Sequence, residues 1–112
     1  MDLNNLRDEI YEDAVAHGLW EAADDDFKFV CVGVLEEDIP KLRREFYMEF
    51  VRDEVHELDM ACDDEENFIE ELADVIIMSL SVAGKLGIDI DAAVRRKMEI
   101  NKNRPWKHGR TE

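Results

Sequence analysis

Residues 72–83 read Leu-Ala-Asp-Val-Ile-Ile-Met-Ser-Leu-Ser-Val-Ala, a run that is apolar almost all the way round when it is wound as a helix. A helix without a polar face is expected to lie among other helices, because a surface helix keeps one side for water. The only charge in this run is Asp74. The run therefore predicts a central, buried helix of an all-α protein, with one carboxylate where carboxylates are costly.

Glycine, proline and acidic residues divide the rest of the chain into further helices. Gly18 ends a helical pattern, Pro40 suits the first turn of a helix, and the acids at 63–66 favour a helix N-terminus. Residues 27–35 are rich in β-branched and aromatic side chains, but we expect a helix there because nothing else in the chain offers a strand partner. The predicted helices cover residues 2–16, 22–37, 40–60, 63–86 and 90–101. The sequence thus predicts a four- to five-helix bundle in a single domain, 1–112.

The charge and the cysteines limit the classes of partner and the compartment. The 112 residues include 29 acidic and 14 basic ones, a formal charge of −15, which argues against a nucleic-acid polymer or an anionic membrane as partner. A small phosphate compound can still bind if metal ions mediate the contact. Cys31 and Cys62 form no CxxC pair, and no apolar run reaches transmembrane length or resembles a signal peptide. We therefore expect a cytoplasmic protein.

Four carboxylates fall within the apolar stripes of two predicted helices. They are named here the carboxylate cluster and are Glu54, Glu57, Glu71 and Asp74. Unpaired carboxylates in such surroundings cost free energy and repel one another, and neither stripe contains a lysine or an arginine. Hard oxygen ligands at i, i+3 on two facing helices suit Mg²⁺, which Mn²⁺ can replace. The pattern predicts a metal site, and the alternative is ordinary solvated acids in a chain that has many.

A basic and polar segment follows the cluster. It is named here the basic arm and consists of Lys97, Asn101 and Arg104, whose i, i+4, i+7 spacing would place them on one face if the helix extends that far. An ammonium, an amide and a guanidinium group are suited to phosphate oxygens. The alternative is compensation of the helix dipole at a C-terminus, and the spacing alone favours neither.

These residues, in this order, resemble the signature of the MazG-like nucleotide pyrophosphohydrolases. The resemblance is to an ExxE…ExxD pattern at 54–57 and 71–74, a central helix and turn at 70–89, a K…N…RPWKHG element at 97–109, and an HGFW-type segment at 17–21. It covers about residues 11–20 and 46–109. Residues 21–44 depart from the family pattern because they are longer and more acidic, so the preferred nucleotide stays open.

The resemblance implies a fold, a reaction and roles for individual residues. It implies the all-α NTP pyrophosphatase fold, completed by assembly into a homodimer or homotetramer, and Mg²⁺-dependent hydrolysis of (deoxy)nucleoside triphosphates to monophosphate and pyrophosphate in nucleotide-pool control. By position, the carboxylate cluster would hold the metal and the basic arm would bind the phosphates. Glu54 or Glu57 could instead act as general base. Trp20 and Trp106 are the aromatic side chains on which a base could stack, although such residues are more often packing residues.

Two other functions are compatible with a helical bundle. A ferritin-like iron protein needs two ExxH elements on separate helices, and this chain offers a single DxxH pattern, Asp53 to His56. A non-catalytic acidic module that binds nucleotides or another protein is the second alternative. The full set of costly carboxylates argues against it, because such a module would have no use for them.

Overall fold

The computed structural model of the protein describes residues 2–105 and shows an all-α fold. The helices are α1 (Leu3–Ala16), α2 (Leu19–Val30), α3 (Ile39–Asp59), α4 (Glu65–Lys85) and α5 (Ile90–Lys102), and a short 3-10 helix covers Glu36–Asp38. Within residues 2–105 there is no strand. The predicted fold class is therefore confirmed.

Aspartates at the helix starts explain why most predicted boundaries are correct. Asp2, Asp64 and Asp89 each accept a hydrogen bond from a backbone N–H in the first turn of the helix that follows. Such caps satisfy N–H groups that have no partner inside the helix. Apart from α2, the helices begin and end within two residues of the predicted bounds.

The second helix differs from the prediction of residues 22–37. It begins at Leu19, directly after Gly18, whose φ of 82° makes the sharp turn from α1. It ends at Val30, because Val32 and Val34 are β-branched and Gly33 between them takes a φ of 79° that few other residues adopt. The apolar spacing continues past residue 30, but the helix does not.

The core lies where α2 covers α3 and α4. Trp20 and Tyr47 are almost completely buried, and the Trp20 ring meets the rings of Tyr47 and Phe50 edge-on at centroid distances of 5.1 and 5.7 Å. Trp20 Nε1 donates a hydrogen bond of 3.0 Å to Ser81 Oγ, so the buried polar atoms of both residues are satisfied. This aromatic core joins three helices and leaves the other half of the α3–α4 pair to the carboxylates.

Helix α4 is central but is not buried all round, contrary to the prediction. It packs against α1 on one side and α3 on another, which buries Leu80 and Ala83. Ile69, Leu72 and Ile76 remain 60, 43 and 54% exposed. The apolar run thus includes a face that a single chain leaves uncovered. None of the described helices combines the length and the apolar character needed to cross a membrane.

Candidate active site

The packing of α3 against α4 brings the two pairs of acids to the same level of the bundle. The two helices are joined by the short connection 60–64 and pack along each other, as in an antiparallel helical hairpin. Glu54 lies five residues before the last residue of α3, and Glu71 lies six residues after the first residue of α4. The ExxE and ExxD elements therefore face each other across the helix pair.

The charges in the carboxylate cluster act on one another. Burial raises the pKa of Glu54, and the charges of Glu57, Asp74 and Glu71 raise it further, in that order. Burial also raises the pKa of Glu71, followed by the charges of Asp74 and Glu57. All four residues predicted from the sequence are thus close enough to repel one another.

One oxygen of the cluster has no partner. Glu71 Oε1 is buried and makes no hydrogen bond within the described part of the chain. None of the ion pairs among residues 2–105 includes a member of the cluster. A buried, unpartnered carboxylate oxygen beside three other carboxylates is an arrangement that a hard divalent cation would satisfy.

The four carboxylate side chains do not converge on a common position for a metal ion. Among residues 2–105, no group of three or more Asp, Glu, His or Cys side chains is arranged to hold a metal ion. Glu54, Glu71 and Asp74 are half-buried, whereas Glu57 is exposed. The fit to Mg²⁺ therefore rests on donor chemistry and unrelieved repulsion, and binding of an ion would have to draw the side chains together.

The basic arm makes no hydrogen bond or ion pair with the cluster within residues 2–105. Lys97 and Asn101 are exposed on α5, whereas Arg104 follows the end of the helix at Lys102, so the condition for a shared helical face is not met. The charges that act most strongly on Glu54 and Glu71 are all carboxylates.

A hydrogen-bonded joint between the starts of α1 and α5 holds the first turn of α5, the helix on which Lys97 and Asn101 lie. Asn4 Oδ1 accepts hydrogen bonds from the backbone N–H groups of Ile90 and Asp91, at 3.0 and 3.2 Å. Asn4 Nδ2 donates to Asp89 Oδ1 at 2.8 Å, and Asp91 Oδ1 accepts from the N–H of Leu3 at 3.1 Å. Each helix thus supplies a cap for the other. This joint could not be predicted from sequence patterns, because its members are more than 80 residues apart.

The two predicted base-stacking residues have different outcomes. Trp20 is 2% exposed, and Tyr11, Tyr47 and Phe50 lie against its ring, so in this structure it is a core residue with no face for a base. This corrects the prediction; the physical reason is that α2 begins early enough to carry Trp20 into the core. Trp106 lies outside the described residues.

An apolar cleft beside the cluster was not recognised in the sequence. It has a volume of about 430 Å³ and lies between α1 and α4, with Ile10, Leu19 and Met78 among its lining residues and Glu9 and Asp13 at its edge. Met78 is one helical turn beyond Asp74 and on the same stripe, which was the available signal. The cleft is therefore an apolar space directly beside the carboxylates.

Comparisons with known proteins show which family the sequence resembles. The chain matches the MazG-like family over residues 41–111, which include most of α3, all of α4 and α5, and the whole carboxylate cluster. It is also 47% identical over 36 residues to a dATP/dGTP diphosphohydrolase of Cyanophage S-2L, over 32% of this chain and 34% of the relative. The match thus spans about a third of that curated relative, and no solved structure matches the chain significantly. Since the family match extends over more than half of the chain, the protein belongs to the MazG-like family.

Proposed function

We propose that the protein is a Mg²⁺-dependent nucleoside triphosphate pyrophosphohydrolase, which releases a nucleoside monophosphate and pyrophosphate. The observation that carries this proposal is the carboxylate cluster, with its unpartnered Glu71 oxygen, on two packed helices of a MazG-like chain. Membership of the family and the similarity to a dATP/dGTP diphosphohydrolase support nucleotide pyrophosphohydrolase activity. Purine deoxynucleotides are therefore the first substrates to test.

In the proposed mechanism, the carboxylate cluster would hold Mg²⁺, or Mn²⁺ in its place, and one of Glu54 and Glu57 would serve as the base instead of as a ligand. The ion supplies charge neutralisation of the triphosphate and makes water easier to deprotonate. Glu54 or Glu57 takes the proton of the attacking water. The water oxygen bonds to the α-phosphorus, the bond from that phosphorus to the bridging oxygen breaks, and pyrophosphate leaves. The half-buried position of Glu54 keeps bulk water from competing for its carboxylate.

The remaining parts of the substrate are assigned from position and chemistry. The basic arm would bind the phosphate chain, and the apolar cleft that contains Met78 would receive the base, because it begins one turn from Asp74. The carboxylates at the edge of the cleft, Glu9 and Asp13, can accept hydrogen bonds from amino groups of a base. With a formal charge of −15, the protein would act on the free nucleotide pool of the cytoplasm rather than on a polymer or at a membrane.

We also propose that a second copy of the chain covers the exposed face of α4, in a homodimer or homotetramer. This face contains Ile69, Leu72 and Ile76, and an apolar groove lined by Val75, Ile76 and Val94 continues it towards α5. Contiguous apolar surface of this kind marks interfaces. A basic arm that makes no hydrogen bond or ion pair with the cluster of its own chain within residues 2–105 could then reach the cluster of its partner.

The reaction is tested by product analysis. Canonical and modified NTPs and dNTPs are incubated with Mg²⁺, Mn²⁺ or EDTA, and the products are separated by anion exchange. We expect monophosphate and pyrophosphate with a metal ion, none with EDTA, and loss of turnover in Glu71→Gln. Glu45→Gln, an exposed acid on α3 outside the cluster, is the matched control and should retain activity. Nucleoside diphosphate and inorganic phosphate as products would refute the proposed reaction. Full activity of Glu71→Gln would refute the assignment of the site to the carboxylate cluster.

The absence of a closed ligand set among residues 2–105 favours a second candidate, a non-catalytic nucleotide-binding module. Such a module would bind nucleotides without turning them over under any metal ion. It would also tolerate Asp74→Leu and become more stable, because a carboxylate that repels its neighbours is removed. The enzyme should instead lose turnover in Asp74→Leu while the fold survives.

A further inference from the structure

A larger cavity lies at the opposite end of the α3–α4 pair from the carboxylate cluster. It has a volume of about 610 Å³ and occupies the groove between α2 and α3, which the last turn of α4 closes. Arg43 precedes Glu54 by eleven residues on α3, which is about 16 Å along a helix. Lys85 follows Asp74 by the same interval on α4. The cavity is thus separate from the proposed catalytic site.

The lining of this cavity is positive, although the chain as a whole is strongly negative. Three of its lining residues are cations, Lys28, Arg43 and Lys85, and Asp24 is the single acid among them. Asp24 is already engaged on both oxygens, because Oδ2 lies 2.6 Å from Lys85 Nζ and Oδ1 accepts a hydrogen bond of 3.3 Å from the Tyr47 hydroxyl. Asp24 therefore neutralises one cation, and the lining retains two further positive charges.

Arg43 is the cation best placed to meet a ligand. Its guanidinium carbon lies 5.0 Å from the centre of the buried Phe27 ring, and this cation–π contact holds the guanidinium group at the wall of the groove. Arg43 takes part in none of the ion pairs within residues 2–105. Lys28 makes one exposed contact of 3.5 Å with Asp25, which contributes little. Both side chains can thus turn their donors towards an anion.

We propose that this cavity binds a small organic anion in which a phosphate group is joined to a flat ring, as in a nucleoside monophosphate. Arg43 and Lys28 would bind the phosphate, and the ring would lie against the half-buried apolar side chains of Ile39 and Leu86. The volume is within the range of small-molecule pockets, which combine apolar walls with a few polar groups. The site does not depend on hydrolysis at the carboxylate cluster.

The test is isothermal titration calorimetry with deoxyadenosine monophosphate in EDTA. Without metal ions the carboxylate cluster repels phosphates, so its contribution is removed. We expect saturable binding, with inorganic phosphate and deoxyadenosine each binding more weakly than the joined molecule. Arg43→Ala should bind about tenfold more weakly or worse, because a charged hydrogen bond is lost. Arg44→Ala is the matched control, since Arg44 is the neighbouring exposed arginine and does not line the cavity, and it should bind as the wild type does.

A second variant, Lys28→Ala, and NMR spectra test the site independently of the folding of Arg43→Ala. Lys28 is exposed, so Lys28→Ala should fold normally and bind about two- to fivefold more weakly. In NMR spectra the ligand should shift the amide signals of Lys28, Arg43 and Leu86. The proposal is overturned if the wild type shows no saturable binding, if Arg43→Ala and Arg44→Ala lose affinity equally, or if the shifted signals centre on Met78 and Glu71. None of these results depends on whether triphosphates are hydrolysed.

Discussion

Glu71 is a proposed metal ligand, and in the absence of a metal ion it also destabilises the folded chain. One of its oxygens is buried without a partner, and the other members of the carboxylate cluster surround it with negative charge. A buried polar atom without a hydrogen bond destabilises the folded chain, and nearby like charges add to that cost. A divalent cation would relieve both effects at once. The metal-free protein should therefore be measurably strained at this residue.

The pH dependence of stability reveals this strain. Burial and the charges of Asp74 and Glu57 raise the folded-state pKa of Glu71 above 4.5, so the folded state takes up a proton at a pH where the unfolded chain does not. In EDTA, the free energy of unfolding should thus rise as the pH falls from 7 through this raised pKa. The rise in the free energy of unfolding should be complete below pH 4.5, where the unfolded chain is protonated as well. Glu71→Gln should reduce this slope and raise the thermal midpoint at neutral pH.

Hydrogen bonds lower the pKa of Asp89 from 3.8, chiefly the bond from the Asn4 side chain. Asp89 therefore stabilises the fold above pH 3.8 and loses that contribution at lower pH. It has little effect between pH 7 and 4.5, the range in which Glu71 is tested. Thermal unfolding followed by circular dichroism at several pH values measures the slopes. Equal slopes for the wild type and Glu71→Gln would show that Glu71 carries no such strain.

The sequence predicts the carboxylates better than their surroundings. Four acids in apolar stripes without basic neighbours identified the cluster, because both the stripe and the spacing are local features. The ion pair between Asp24 and Lys85 could not be predicted, since 61 residues separate its members. Whether Trp20 packs in the core or stacks on a base could not be decided for a similar reason: its burial depends on where α2 begins and on rings contributed by other helices.

At the scale of the elements, the closest approach of α1 to α4 depends on Gly84. A Cβ atom at this position would lie 2.7 Å from the Tyr11 Cβ and 2.9 Å from its Cγ, so the helices would have to separate. Gly84→Ala should destabilise the protein by about 1–3 kcal/mol, in spite of the better helix propensity of alanine. Urea unfolding measures the change.

Ser79→Ala is the control for this substitution, because Ser79 is exposed on the same helix and its hydroxyl bonds to a carbonyl within α4. Its effect on the free energy of unfolding should stay within about 0.5 kcal/mol. If Gly84→Ala were as stable as Ser79→Ala, the close contact with Tyr11 would not limit the packing of α1 on α4.

The elements were predictable where local signals define them. Capping aspartates mark the starts of α1, α4 and α5, and these helices have nearly the predicted bounds. The predicted end of α2 was wrong, because apolar spacing indicates which face is buried and not where the backbone stops being helical. The exposed face of α4 was also not predicted, since an apolar run does not reveal whether the same chain or another molecule covers it.

At the scale of the whole molecule, one chain is more extended than a compact domain of its size. Its radius of gyration is 16.7 Å, whereas about 13 Å is expected for a compact chain of roughly this length. Apolar residues of α4 lie exposed on its surface. Both features are expected of a subunit whose fold is completed by a partner.

Ile76→Glu should therefore disrupt the assembly. Ile76 is 54% exposed on the uncovered face of α4, where a charge would be buried against an apolar surface of the second copy. Light scattering after size exclusion should give the mass of a dimer or tetramer for the wild type and of a monomer for the variant. Val32→Glu, at a 77% exposed residue outside this face, should assemble as the wild type does. A monomeric wild type would refute the proposed interface.

The central claim is that the carboxylate cluster is a divalent-cation site, and equilibrium binding of Mn²⁺ tests it most directly. The electron paramagnetic resonance signal of free Mn²⁺ is followed during titration of the wild type, Glu71→Gln and the control Glu45→Gln, without any nucleotide. We predict saturable binding by the wild type and the control, and a loss of at least about tenfold in affinity for Glu71→Gln. Equal Mn²⁺ affinity of Glu71→Gln and the wild type, or no binding by the wild type, would contradict the claim.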